Sequence, residues 1–266
     1  MAMSSRNGTG ANAGKKPGRA LPGVVSYVVI IVVTVVASFI AAITLGMVLR
    51  NRADVKSSRD ERDSLLEIAK VSEVNISRPK SGVSPSETPD TYLSAFAAEM
   101  REINPDYVFW ISMADTPVDY PVVRGSDNEK YLNMSFSGER NMLGALFLDC
   151  RCERSGVPNI IIYGHNSKEG DMFGSLRQLL DGQYLGDHPT ITLKYDDRVA
   201  EFEIFSARAT DVYDPAYFLD FSEADSFAAF LERCGAPADA EQIVTLSTCV
   251  SGNNADERVV VQGTLR

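Results

Sequence analysis

Residues 24–49 form a run of 26 residues without a charged side chain, rich in Val and Ile. A helix needs roughly 20 apolar residues to cross the hydrocarbon core of a bilayer, so this run suffices with some tilt. A buried core helix would be shorter and amphipathic, and the apolar part of a cleaved signal usually spans about 7–15 residues. The sequence therefore predicts an uncleaved transmembrane anchor over 24–49. Ahead of it, residues 1–23 are mostly Gly, Ser, Ala, Asn and Lys, the composition of a disordered tail. Basic residues flank both ends: Lys15, Lys16 and Arg19 before, and Arg50, Arg52, Lys56 and Arg59 after. The positive-inside rule alone does not orient such a segment. A short cytoplasmic tail with a large outer domain is the expected arrangement, and it leans on the chemistry below.

Behind the anchor, residues 51–75 alternate charges with Leu65, Leu66, Ile68, Ala69 and Val71, which predicts a solvated helical stalk. Residues 76–90 hold three prolines with Ser and Gly and read as a linker, so that 50–90 is stalk and linker and 91–266 is the folded domain. Charge divides along the same line. The chain carries 9 basic and 3 acidic residues through Arg62, and 17 basic and 33 acidic beyond it, a net of -16. A body that acidic repels phosphate backbones, which argues against nucleic-acid binding. The overall hydrophobic fraction of 44% excludes a wholly disordered chain.

Within the domain, Leu93, Phe96, Ala97 and Met100 recur at helical spacing, so 91–103 is expected to be a helix with one buried face. After Asn104-Pro105 the signals become strands: 107–113, 120–123, 145–148, 159–163, 190–195, 199–209, 242–246 and 258–264. Helical interruptions are expected at 172–180 and 223–234. Eight short strands with few helices predict a mostly β fold, a mixed barrel or sandwich.

The chain has two histidines and four cysteines. His165 follows the apolar run Ile160-Ile161-Ile162-Tyr163-Gly164, and Cys249 follows Ile243-Val244-Thr245-Leu246-Ser247-Thr248. Arg258 opens a third run, Arg258-Val259-Val260-Val261. Reactive side chains at strand mouths are held as catalytic groups often are. A thiolate is a nucleophile that an imidazole or cation helps to form. A guanidinium can hold the oxyanion produced by attack on an amide, and imidazolium can protonate the leaving amine. Taken on spacing alone, a Cys after a strand also fits a small buried hydrophobe, and a lone Arg fits the surface.

Thr245-Leu246-Ser247-Thr248-Cys249 resembles the Thr-Leu-Xaa-Thr-Cys signature of sortases, the cysteine transpeptidases of Gram-positive cell envelopes. Tyr163-Gly164-His165-Asn166 is similar to the family's histidine motif, and Arg258 stands where its arginine is expected. The resemblance spans roughly 91–266. It implies an eight-stranded sortase-like β-barrel with an N-terminal helix and a helix inserted before the cysteine strand, and a catalytic set of His165, Cys249 and Arg258. The insertion over 214–241, together with the helix near Thr91, resembles class B members. The lack of a second apolar span after the last strand disfavours the pilus-building members, which carry a C-terminal anchor. By the same resemblance Asp127-Asn128-Glu129-Lys130-Tyr131-Leu132 lines a sorting-signal pocket, which makes Asn128, Leu132, Tyr163, Ser247 and Thr248 substrate contacts. Val250 departs from the Glu that many class B members place after the cysteine.

The implied reaction cleaves a C-terminal sorting motif of a secreted protein, leaves a thioester, and passes the acyl group to an amine of a cell-wall precursor or another protein. The implied location is the cell membrane, and no cofactor is implied. A membrane-anchored cysteine peptidase is the first alternative, although papain-like enzymes place Cys before His along the chain. A non-enzymatic surface scaffold is the second. His188, in Asp187-His188-Pro189, is expected in an exposed turn, and Asp196-Asp197 in a hairpin turn. Cys150, Cys152 and Cys234 lack the second paired cluster of a structural zinc site, so no metal is assigned. A bond between Cys150 and Cys152 is geometrically poor. Pairing of either with Cys234 stays open.

Overall fold

The computed structural model describes residues 22–77, 89–152, 157–248 and 257–266. Most of the tail (1–21), the linker over 78–88 and Cys249 lie outside the described residues. The chain divides into two compact units, Met1–Arg50 and Asn51–Arg266.

In the first unit, the apolar run is helical, as part of α1 (Pro22–Ser77). Val28, Ile31 and Val35 are each more than half exposed. The hydroxyls of Thr34, Ser38 and Thr44 bond back to the carbonyls of Ile30, Thr34 and Ile40, which satisfies them within the helix. The helix is long and apolar enough to cross a membrane.

The second unit is built on a closed eight-stranded barrel of order β1-β2-β3-β4-β7-β8-β6-β5. The strands are β1 (Tyr107–Ser112), β2 (Asp119–Val123), β3 (Leu146–Leu148), β4 (Asn159–Gly164), β5 (Thr190–Lys194), β6 (Val199–Thr210), β7 (Ile243–Thr248) and β8 (Arg258–Leu265). Each expected strand is present, and no end lies more than two residues from its expected place. β4 and β7 run parallel and are buried along nearly their whole length, which is why both read as unbroken apolar runs. The twelve-residue β6 has a bulge between Ile204 and Ser206 and pairs with both β5 and β8. Asp196 and Asp197 sit in the turn of the β5–β6 hairpin, where Tyr195 donates to the Arg198 carbonyl.

Helix α2 (Pro89–Ile103) buries Leu93, Phe96, Ala97 and Met100, the face that the helical spacing predicts, and packs the last three against Tyr107 and Trp110. Truncating Phe96 to Ala there would cost about 3–5 kcal/mol. The segment expected to be helical near 172–180 is a 3-10 helix at Gly174–Leu180. A short helix unforeseen in the sequence, α3 (Gly182–Asp187), follows it. Asp181 caps α3 by accepting from the Gln183 and Tyr184 amides. His188 is then half-buried rather than exposed, with its ring stacked on Tyr184 at 4.1 Å. The insertion between β6 and β7 carries α4 (Ser226–Cys234), which packs Phe230 and Leu231 against Ile243.

The stretch expected to be a solvated stalk is corrected within this unit. Over residues 51–70, α1 lies on the barrel, with Val55, Ser58 and Leu65 buried. Its charges find partners there: Arg59 grips Asp171 through two nitrogens, and Glu61 accepts from Ser135 and Ser137. Partners so distant in sequence leave no local signature, so the pattern reads as solvation.

Candidate active site

Parallel pairing in register sets the geometry of the site. Gly164 of β4 lies opposite Thr248 of β7, so the two strands end level. His165 is the next residue after the first, and Cys249 is next in sequence after the second. β8 runs back beside β7, and the Val259 amide donates to Thr248 Oγ1 at 2.9 Å, which puts the start of β8 and Arg258 at the same rim. His165 and Arg258 line one open cleft of about 470 Å³ with Asn128, Leu132, Asn133, Phe147 and Tyr163. That volume is within the range of small-ligand and peptide-segment sites.

His165 is half-buried, and its Nε2 lies 2.8 Å from the Leu132 carbonyl oxygen. A carbonyl can only accept, so Nε2 carries the hydrogen and Nδ1 is the lone-pair nitrogen of the neutral ring. Burial lowers the pKa of His165, and the Leu132 carbonyl opposes that shift. The net effect favours a neutral imidazole. Leu132 ends a 3-10 helix, Lys130–Leu132, which Asp127 starts by accepting from the Glu129 and Lys130 amides at 2.9 and 2.8 Å.

Asn128 fixes the wall of the cleft by accepting from the Cys150 amide at 2.8 Å. Tyr163 donates its hydroxyl to Asp149 Oδ2 at 3.0 Å. The fully buried Asp149 also takes two bonds from the Arg151 guanidinium. Although burial pushes the Asp149 carboxyl upward, the bonds from Arg151 and Tyr163 hold it below the usual carboxylate range. Burial and this carboxylate together push the Tyr163 hydroxyl far up, so it stays protonated.

Five of the residues proposed from sequence thus meet at the cleft: Asn128, Leu132, Tyr163, His165 and Arg258. Ser247 and Thr248 stand behind it, both buried. Ser247 Oγ is 2.8 Å from the Tyr217 hydroxyl, and Thr248 is engaged by Val259. Asn133 and Phe147 line the cleft without having been singled out. Both lie within or beside segments that the sequence marks, and a strand period through 145–148 would have pointed Phe147 to one face. Tyr217, stacked on Tyr163 at 6.5 Å, had no signal inside a long insertion. Cys150, Cys152 and Cys234 are free thiols, so neither open pairing with Cys234 is formed. Among the described residues, no group of three or more His, Cys, Asp and Glu side chains could hold a metal ion.

A sortase domain model matches residues 111–266. The chain belongs to the sortase family. Sortase B of Listeria monocytogenes is 32% identical over 178 residues, covering 63% of this chain and 72% of the relative. A Staphylococcus aureus sortase B–substrate complex is similar with a TM-score of 0.65 at 26% identity, covering 79% of this chain and 98% of that one. Sortase B from B. anthracis in complex with AAEK1 gives 0.58 at 33% identity, covering 64% and 83%. The chain is therefore a class B sortase, and its barrel is the fold of that class. As a sortase it is a cysteine transpeptidase, a family whose substrates are sorting signals and amine acceptors.

Proposed function

We propose that this sortase is held in the cell membrane by α1, with its N-terminus cytoplasmic and residues 51–266 outside, and that it attaches secreted proteins to an amine of a Gram-positive cell-wall precursor or of another protein. The observation that carries this reading is the sharing of one cleft by His165 and Arg258, at the rim where β7 hands on to Cys249. Both substrates then work at one surface, which raises their effective concentration.

The roles follow from the chemistry. His165 Nδ1 takes the proton from Cys249 Sγ, and the thiolate attacks the carbonyl carbon of the threonine of the sorting motif. The carbonyl electrons move to oxygen, where the Arg258 guanidinium holds the negative charge. Collapse of that intermediate breaks the C–N bond, and the leaving amine takes the proton from His165. A thioester on Cys249 remains. An acceptor amine attacks it, loses its proton to His165, and releases the thiolate with a new amide bond. Asn128, Leu132 and Tyr163 contact the sorting motif along the cleft, while Ser247 and Thr248 support its floor from behind.

The test uses the full chain in detergent micelles with fluorogenic peptides carrying candidate sorting motifs, with and without an added amine. The expected result is amine-dependent ligation that Cys249→Ala abolishes. Cleavage indifferent to amine would identify a peptidase instead. Turnover that survives Cys249→Ala would remove the mechanism.

A further inference from the structure

Both ends of the hydrogen bond between His165 and Leu132 are anchored to one helix. On the Leu132 side, Glu61 Oε1 of α1 accepts from Ser135 Oγ at 2.9 Å and from the Ser137 amide at 2.8 Å. Asn141 of the same loop donates its side-chain nitrogen to the Asp54 carbonyl at 3.0 Å and its amide to the Asn133 carbonyl at 3.1 Å. On the His165 side, Arg59 Nε and Nη2 hold the two oxygens of Asp171 at 2.8 and 2.9 Å, and that carboxylate is only 6% exposed. Two residues further on, the Phe173 amide donates to the His165 carbonyl at 3.0 Å.

Neither loop carries much regular structure of its own. Each has one isolated bridge, Met134 with Arg140 and Asn166 with Met172. A helix turns about 100° per residue, so Arg59 and Glu61 fall on opposite flanks of the buried stripe Val55, Ser58 and Leu65. Each flank therefore reaches a different loop. The helix works as a spacer whose rigid backbone sets the distance between the two.

We propose that Arg59 and Glu61 are positioning residues for His165. Together they fix the separation of the His165 and Leu132 loops, and so the Nε2–H bond to the Leu132 carbonyl and the presentation of Nδ1 to the cleft. The helix that continues from the apolar run is then part of the catalytic apparatus as well as a tether. This inference rests on the catalytic reading of His165 given above.

The experiment follows the imidazole directly by proton–nitrogen NMR on the full chain in micelles, alongside peptide turnover. Only two histidines are present, so His188 is an internal reference. The variants are Arg59→Ala, Glu61→Ala, the double variant, Arg59→Lys, and Arg101→Ala as a control that removes a 3.0 Å pair with Asp196 and touches neither loop. In the double variant the His165 Nε2–H should exchange with water about tenfold faster or more, and kcat should fall by a similar factor. KM for the sorting peptide should stay within about twofold, and His188 should not respond. Arg59→Lys, which keeps the charge and loses the fork, should fall between Arg59→Ala and the parent. Unchanged His165 exchange in the double variant overturns the proposal, as does an equal loss of kcat in Arg101→Ala. If exchange rises while turnover holds, and His165→Gln also turns over normally, the clasp stands and the catalytic reading of His165 falls.

Discussion

The hydroxyl of Tyr163 lies 3.0 Å from Asp149 Oδ2, so a tyrosine of the cleft wall is braced by a carboxylate with no exposure of its own. Asp149→Ala would leave that hydroxyl without its acceptor and would free the Arg151 guanidinium, which is more than half exposed and can turn to water. The expected loss is about 2 kcal/mol, that of a hydrogen bond to a charged group, measured as a shift in urea midpoint at neutral pH. Because Tyr163 lines the cleft, KM for the sorting peptide should rise more than kcat falls. A variant with parental stability and KM would show that the brace carries neither role. The depressed Asp149 pKa adds a pH signature. Its stabilising contribution is complete above the unfolded carboxylate value of about 3.9 and is lost as pH falls through the lower folded value.

The pH dependence from His165 has a different window. Burial favours the neutral ring, so the folded pKa lies below the unfolded one. Between the two, the unfolded chain binds the extra proton, and stability falls as pH falls. The contribution is fully present above about 6.5, declines as the medium is acidified below that value, and levels off beneath the folded pKa. His165→Gln should flatten this part of the profile. The check is the difference in urea midpoint between pH 7.5 and pH 5, compared between parent and variant; equal differences would deny His165 this role.

Gly164 is confined by packing rather than by backbone angle. A Cβ there would come within 2.4 Å of Leu146 Cδ2 and 2.7 Å of the Phe173 ring. The leucine tip can turn aside, but Phe173 is fully buried and its amide holds the His165 carbonyl. Gly164→Ala should therefore cost about 1–3 kcal/mol by overpacking. It should lower kcat more than the stability loss explains, because the displaced ring carries His165 with it. Thermal unfolding and steady-state kinetics together check this, and unchanged kcat would show that Phe173 can yield without moving the histidine.

Much of this was legible in the sequence where the signal is local. The buried strands β4 and β7 announce themselves as Ile-Ile-Ile and Ile-Val-Thr-Leu runs, and α2 by four apolar residues on one face. What stayed hidden depends on partners far along the chain. Arg59 and Asp171 are separated by 112 positions, and a charged helix facing the barrel has the same composition as one facing water. Tyr217 reaches Ser247 from an insertion whose apolar residues serve a separate small cluster around Phe230.

Arg258→Lys separates charge from geometry at the cleft. Arg258 is half-buried at the head of β8, and its Nη1 donates to the Glu257 carbonyl at 3.1 Å, so part of its donor fork is already committed to the backbone. The role proposed for it needs guanidinium donors to meet the oxyanion in a fixed plane. A lysine supplies one compact ammonium on a flexible stem, with no fork to share between a carbonyl and an oxyanion. Loss of a preorganised oxyanion donor costs about 100- to 1000-fold in turnover. Arg258→Lys is therefore expected to keep its fold and its KM for the sorting peptide while kcat drops within that range, as read by the fluorogenic assay with saturating amine. Arg258→Ala should fall at least as far. Turnover by Arg258→Lys close to that of the parent would mean that a general positive charge suffices, and the oxyanion would have to be held by other donors.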